Sequence, residues 1–297
     1  TPASTIEAFI AAADPKRFPE QLKFVEVWSA QRIVWNTFNF GGLNTTSDDQ
    51  LKLNVGAFNP LIGKGYGEIA AESRTNHKSQ GFGSAKQRGQ SYEYFSHIKG
   101  IAAKADLFEN INSNWNRIPG GQEIGRMIGL ADKNFNADNP SASVAPMISI
   151  LKALEKLPTS YWKELKTKEL KDLIAAAAGL WFETYATQPI YSLGDSIKLR
   201  SEVLIQSGLP VKLVSANGKT QFTDLKNGTL KSIEESTLAK TITEPYWLNE
   251  KHADGMFTIS DMQLVGYPEN PAPAIVNFIF NIAGMEISYQ RPVVYKY

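Results

Sequence analysis

Hydrophobic positions change their period twice along this 297-residue chain. Between Ser4 and Ala13, Ile6, Phe9 and Ile10 recur at helical spacing, and Asp14-Pro15 stops the helix because proline disfavours the helical conformation before it. The run Arg32-Ile33-Val34-Trp35-Asn36-Thr37-Phe38 is β-branched and aromatic, which predicts one strand buried on both faces of a sheet. Such a strand needs parallel neighbours joined by crossover helices, and no second comparable run occurs before residue 190, so the missing strands are expected to precede Thr1. Gly41 to Gly67, rich in Gly, Asn, Thr, Ser and Asp, reads as an extended surface loop, after which Glu68 to Lys78 resumes helical composition.

From about Gly121 to Tyr185 the spacing is helical. Val144, Met147, Ile148, Leu151 and Leu154 form one apolar stripe, and Trp162, Leu165, Leu173, Ala177, Leu180 and Trp181 form another, with Leu157-Pro158-Thr159-Ser160 between them. After Gln188-Pro189 the period becomes two. Ile197, Leu199, Val203 and Ile205 alternate with polar residues, as do Phe278, Phe280 and Ile282, then a tight Ala283-Gly284 turn, then Met285, Ile287 and Tyr289. The pattern predicts an α+β chain with an α/β part over residues 1–100, a helical region over 101–187, and a C-terminal antiparallel Ig-like β-sandwich over 188–297.

The composition, 42% hydrophobic with 15 Phe, 11 Tyr and 6 Trp, excludes a disordered or fibrous chain. The 31 basic and 30 acidic residues nearly cancel without long runs of one sign, so neither a nucleic acid nor an anionic membrane is an expected partner; a neutral or mixed-charge ligand fits better. No apolar stretch approaches a membrane span, and Thr1-Pro2-Ala3-Ser4 has none of the charged and apolar regions of a signal peptide, so any signal is expected upstream. With no cysteine, disulfides and thiolate metal sites are excluded, and the compartment stays open.

Asp132, Asn134, Asn136 and Asp138 imitate the start of a calcium loop, but Ala137 replaces the turn glycine and Ser143 stands where a bidentate Glu should close the site, so a polar interhelix loop is expected. Gly63-Lys64-Gly65-Tyr66-Gly67 opens a helix without Rossmann spacing, which reads as a flexible turn and helix start. The three histidines, His77, His97 and His252, never share i, i+3 or i, i+4 spacing, and no serine sits in a Gly-x-Ser-x-Gly elbow; neither a zinc site nor a hydrolase triad is expected. The densest polar cluster runs from Glu72 to Gln80, where Arg74, His77 and Lys78 would share a helix face, either to bind a polar ligand or simply to complement a solvated helix end. Trp35 to Gly42 places amides and aromatics at the carboxyl end of the expected strand, which suits a sugar or the packing of a neighbouring domain.

Three segments resemble the PIG-L/LmbE deacetylases, in particular their long multidomain Bacteroidetes type: Ala13 to Leu22, Trp35-Asn36-Thr37-Phe38-Asn39-Phe40-Gly41-Gly42, and Glu72 to Gly83 with its His77-Lys78-Ser79-Gln80 element. Glu244-Pro245-Tyr246-Trp247-Leu248 and Arg291-Pro292-Val293-Val294-Tyr295 resemble the end of the sandwich in that type, so the likeness extends over nearly the whole chain.

This resemblance implies that residues 1–100 are the C-terminal part of an α/β deacetylase domain whose zinc-bound water attacks an N-acetyl carbonyl of a GlcNAc-type sugar while a carboxylate takes the proton. The family's Ala-His-Pro-Asp-Asp motif and later zinc-binding histidine have no counterpart here. The chain is therefore expected to hold no cofactor, metal ligand or catalytic residue and to be inactive alone. At most it supplies pocket residues, the candidates being His77, Arg74, Asn36, Asn39, Lys78 and Gln80. The implied partners are a carbohydrate and the N-terminal part of the deacetylase domain, with a homodimer through an exposed patch near Ile33 and Phe38, and the implied compartment is periplasmic or extracellular. Two rival readings remain: a carbohydrate-binding module using Tyr246 and Trp247, and a structural docking platform.

Overall fold

The computed structural model describes residues 2–296. The chain forms two compact units, Thr1–Asn112 and Ser113–Tyr297.

In the first unit, α1 (Pro2–Ala11) ends ahead of Asp14-Pro15. Three strands, β1 (Arg32–Thr37), β2 (Leu51–Asn54) and β3 (Tyr92–Gly100), form a sheet in the order β1-β3-β2, and between β2 and β3 lies α2 (Tyr66–Thr75). Both ladders are antiparallel, with Arg32 opposite Gly100 and Thr37 opposite Tyr94 on one side, and Leu51 opposite Phe95 and Asn54 opposite Tyr92 on the other. This corrects the expected parallel setting of β1. Its neighbour follows it in sequence, and Arg32, Ile33 and Val34 are half-buried while Trp35 and Asn36 are exposed. β3 escapes a periodicity reading because neither of its faces is apolar: Tyr92, Tyr94, Ser96 and Ile98 alternate with Glu93, Phe95, His97 and Lys99. Gly100, at φ +86°, closes the ladder where any side chain would run into the Gln31 carbonyl.

The interior of this unit is polar. The Thr37 hydroxyl lies 3.0 Å from Gln50 Oε1 and 3.2 Å from the Tyr94 carbonyl, and Gln50 Nε2 donates to Ser96 Oγ at 2.8 Å and to the Thr45 carbonyl at 3.1 Å. Ala71 is the one hydrophobic side chain buried among the described residues of the unit.

The second unit opens with α3 (Gly121–Lys133), α4 (Val144–Glu155) and α5 (Tyr161–Ala177). Ser160 caps α5 by accepting a hydrogen bond from the Lys163 N–H at 3.2 Å. Gly179, at φ +65°, then turns the chain into β4 (Leu180–Ala186). Six strands follow: β5 (Ser196–Ile205), β6 (Val211–Ala216), β7 (Lys219–Asp224), β8 (Lys231–Leu238), β9 (Ile275–Ile282) and β10 (Met285–Tyr295). Their order is β7-β6-β9-β10-β4-β5-β8, antiparallel everywhere except where Val293–Tyr295 of β10 run parallel to Thr184–Ala186 of β4. The chain is thus α+β, with a large and mostly antiparallel sheet.

Alternate residues of the strands and one stripe of each helix share a single core. Phe278, Phe280, Ile282, Val203, Leu213, Leu151 and Ile174 are essentially without solvent contact. The Phe182 ring of β4 lies 5.2 and 5.0 Å from those of Phe278 and Phe280 on β9, although β10 separates the two strands, so the sheet curls around its apolar face. Ala283 and Gly284, both at positive φ, make the tight β9–β10 turn that the sequence signals.

Two expectations change here. The helical reading through Tyr185 fails at Gly179, since Leu180 and Trp181 belong to β4. The helices and the sheet also form one unit beginning at Ser113, rather than separate segments divided at residues 100 and 187.

Candidate functional site

The best-organised polar constellation of the first unit is built on α2. Glu68 and Glu72, four residues apart, share one helix face and gather three cations from flanking segments. Glu72 meets Lys64 at 2.9 Å and Lys86 at 2.7 Å, while Glu68 meets Arg88 at 2.8 Å and accepts the Gly65 N–H at 3.1 Å. Lys64 first, then Lys86, pulls the Glu72 carboxyl down to about 2 by stabilising its charged form. A cleft of about 580 Å3 lies beside this cluster, lined by Asn54, Phe58, Gly63, Glu68, Arg88 and Gln90. The i, i+4 glutamates were the sequence signal for this staple, but their cations come from loops whose course no local pattern predicts.

The six proposed pocket residues are placed less tightly. α2 ends at Thr75 with Asn76 as its C-cap, so only Arg74 lies on the helix; His77, Lys78 and Gln80 follow in a turn in which the His77 N–H donates to the Arg74 carbonyl and the Gln80 N–H to the His77 carbonyl, each at 3.1 Å. The shared helical face of Arg74, His77 and Lys78 is therefore corrected to a turn. Asn36 is on β1 opposite Phe95, and Asn39 begins a two-residue ladder in which it pairs with Asn44. All six are exposed. None has a side-chain hydrogen bond or ion pair among the described residues, so their rotamers are set by solvent rather than by packing.

The histidines do not gather. His77 is in the turn after α2, His97 is opposite Val34 on β3, and the His252 ring packs on Phe257 at 4.8 Å. Among the described residues no group of three His, Asp or Glu side chains is placed to hold a metal ion.

The aromatic end of β1 is better defined. Trp35 and Phe38 meet edge-to-face with ring centroids 6.3 Å apart, both nearly half exposed, and Phe40 beside them is 81% exposed, leaving faces on which a planar or pyranose ligand could stack. In the second unit, by contrast, Tyr246 is buried with its hydroxyl donated to the Tyr267 carbonyl at 2.9 Å, and Trp247 packs edge-on against it at 4.9 Å. Tyr246 thus anchors the long β8–β9 connection, and its ring is not open to stack a sugar. No helix of the described residues is long and apolar enough to cross a membrane.

No protein-family model matches the chain, and no curated protein matches it significantly. Among solved structures, the Pseudomonas fluorescens alkylpurine DNA glycosylase AlkC bound to DNA containing an abasic site analog is similar at 11% identity over 57% of this chain and 50% of its own, so this chain aligns with half of that protein, and the TM-score of 0.19 leaves the likeness without weight for fold or function.

Proposed function

We propose that this chain is a noncatalytic part of a PIG-L/LmbE-type zinc-dependent sugar N-deacetylase, periplasmic or extracellular, in which Thr1–Asn112 packs against the metal-binding portion of the enzyme and Ser113–Tyr297 is a self-sufficient module. One observation carries the reading: the first unit leaves its large apolar side chains uncovered. Trp28 at 69%, Phe58 at 63%, Leu61 at 94% and Phe108 at 67% are exposed, and unlike the second unit the first buries no large apolar side chain in exchange, Ala71 being its one buried hydrophobic residue among those described. A partner surface that buries these side chains would complete the unit. Arg74, His77, Lys78 and Gln80, held only by solvent, would then acquire fixed positions at the rim of the partner's pocket, with Asn36 and Asn39 supplying amides. In the second unit the strand order, with its parallel contact between first and last strands, supports an Ig-like sandwich.

Metal analysis of the purified chain, paired with acetate release from N-acetylglucosamine oligomers under added zinc, tests this directly. The expected result is neither stoichiometric zinc nor acetate, together with 8-anilinonaphthalene sulfonate fluorescence that Trp28→Ser and Phe58→Ser reduce. Bound zinc with acetate release would overturn the proposal.

A second reading is favoured by Trp35, Phe38 and Phe40 alone, namely that this face stacks a carbohydrate directly. Glycan-array binding lost in Trp35→Ala would support it; a silent array would remove it.

A further inference from the structure

The edge of β10 is half used. β9 pairs with it over Met285–Pro292, but β4 joins its other side only over Val293–Tyr295. The Val293 N–H donates to the Ala274 carbonyl at 2.9 Å, which fixes the alternation of the ladder: residues 285, 287, 289 and 291 turn their peptide groups toward β9, and residues 286, 288, 290 and 292 turn theirs away. Pro292, which has no N–H to offer, falls on the outward set and ends the row, as an edge proline should. Ser288 and Gln290 therefore carry outward N–H and C=O groups with no strand beside them, the Gln290 carbonyl accepting only from the Arg291 guanidinium at 3.1 Å.

Alongside this row runs a cleft of about 500 Å3 whose opposite wall is α5. Two contacts tie the walls to each other: the Tyr289 hydroxyl donates to the Lys171 carbonyl at 3.0 Å, and Lys171 Nζ reaches the outward Ser288 carbonyl at 3.4 Å. Burial pushes the Tyr289 phenol well above its ordinary value, so it remains a donor. On the helix wall the Thr167 hydroxyl is shielded from solvent and has no hydrogen-bond partner, which leaves a polar atom unsatisfied beside an unpaired strand edge. The charge of the cleft is basic on balance. Asp172 is neutralised by Arg291 at 3.1 Å, and Lys163 turns its ammonium to the Glu155 and Leu157 carbonyls at 2.9 and 2.6 Å, which leaves Lys168 and Lys171 against Glu164.

We propose that this cleft binds an extended acidic segment of a partner polypeptide, which adds to β10 as a further strand at Ser288 and Gln290 and sets its carboxylates against Lys168 and Lys171. Backbone hydrogen bonds supply register, and the helix lysines supply the preference for acidic side chains. A strand inserted about 4.8 Å from β10 would displace the Lys171 contact to the Ser288 carbonyl and the Arg291 contact to the Gln290 carbonyl, and bring a backbone group toward Thr167.

The test uses the full chain and an acetylated, amidated hexapeptide of sequence Asp-Val-Glu-Val-Asp-Val, with amide hydrogen exchange and fluorescence anisotropy as readouts. Binding should slow exchange at the Ser288 and Gln290 amides, weaken as salt rises, and fall by about tenfold or more in Lys168→Glu/Lys171→Glu and in Gln290→Pro. Gln290→Pro removes the outward N–H together with the glutamine side chain, and Gln290→Ala, which keeps the N–H, is its control and should bind normally, both with unchanged circular dichroism; N-methylation of alternate peptide residues makes the same test without altering the protein and should abolish binding. Absence of binding at millimolar peptide, equal binding of Lys-Val-Lys-Val-Lys-Val, or protection elsewhere with Ser288 and Gln290 unaffected would overturn the proposal.

Discussion

The two units of this chain are built from similar residues and solve burial differently. Ser113–Tyr297 interleaves three helices with a seven-stranded sheet, and nearly every inward residue, from Ile124 through Tyr289, ends in one continuous core. Thr1–Asn112 has comparable aromatics, Trp28, Trp35, Phe38, Phe40, Phe58 and Phe108, yet turns them outward around a polar centre of Thr37, Gln50 and Ser96. Order in the second unit comes from apolar burial, whereas the first relies on hydrogen bonds, turns and the ion pairs of Glu68 and Glu72. Each such bond adds little net stability, because water offers the same partners to the open chain. The first unit accordingly has far less apolar burial holding its structure than the second.

The largest effect that separates the two units is cavity formation. Phe280→Ala, in the middle of the second core, should destabilise by about 3–5 kcal/mol, read as a lower denaturant midpoint in tryptophan fluorescence or circular dichroism. Phe40→Ala in the first unit should cost within about 0.5 kcal/mol by the same measurement, since its ring is already in water. Equal costs would mean that Phe40 is covered in solution and that the contrast between the units is wrong.

Next in size is the buried hydroxyl pair of the second unit, Thr184 and Ser201, whose oxygens are 2.7 Å apart between β4 and β5. Thr184→Val alone strands the Ser201 hydroxyl and should cost about 1–3 kcal/mol, while adding Ser201→Ala should recover much of that loss. A double variant no more stable than the single one would show that the pair is not isolated from other donors.

The same contrast explains which parts of the fold could be read from residues alone. The stripe Val144, Met147, Ile148, Leu151, Leu154 and the alternation at Ile197, Leu199, Val203, Ile205 and at Phe278 to Tyr289 announced helix and strands because burial imposes the period on the sequence. β4 looks helical in the pattern because Leu180 and Trp181 continue the spacing of α5, although Gly179 followed by aromatic and β-branched residues marks the switch. In the first unit no hydrophobic face exists to impose a period, so β3 and the antiparallel setting of β1 left no trace in the pattern. The candidate residues Arg74, His77 and Lys78 suffered similarly: composition suggested a helix through Lys78, and the end of α2 at Thr75 is fixed by backbone contacts of Asn76 rather than by any glycine or proline at that point.

The smallest predicted effect concerns the electrostatic staple that stands in for a core. The Glu72 carboxyl, held at about 2 by Lys64 and Lys86 against an ordinary value of 4.5, favours the folded state whenever it is ionised in the native protein and would be ionised in the unfolded one. Its contribution is therefore complete above the ordinary carboxylate value and is lost as pH falls from about 4.5 toward 2, with little change at neutral pH and above. Side-chain carboxyl NMR should give a Glu72 midpoint near 2, and faster amide exchange in residues 84–90 should set in over the same acid interval, ahead of any loss of the β4–β10 core signals. Glu72→Gln should reproduce that loosening at neutral pH and leave the second unit's denaturation midpoint unchanged. An ordinary midpoint for Glu72, or acid loosening that strikes both units together, would mean that the ion pairs do not hold the first unit's loops to α2.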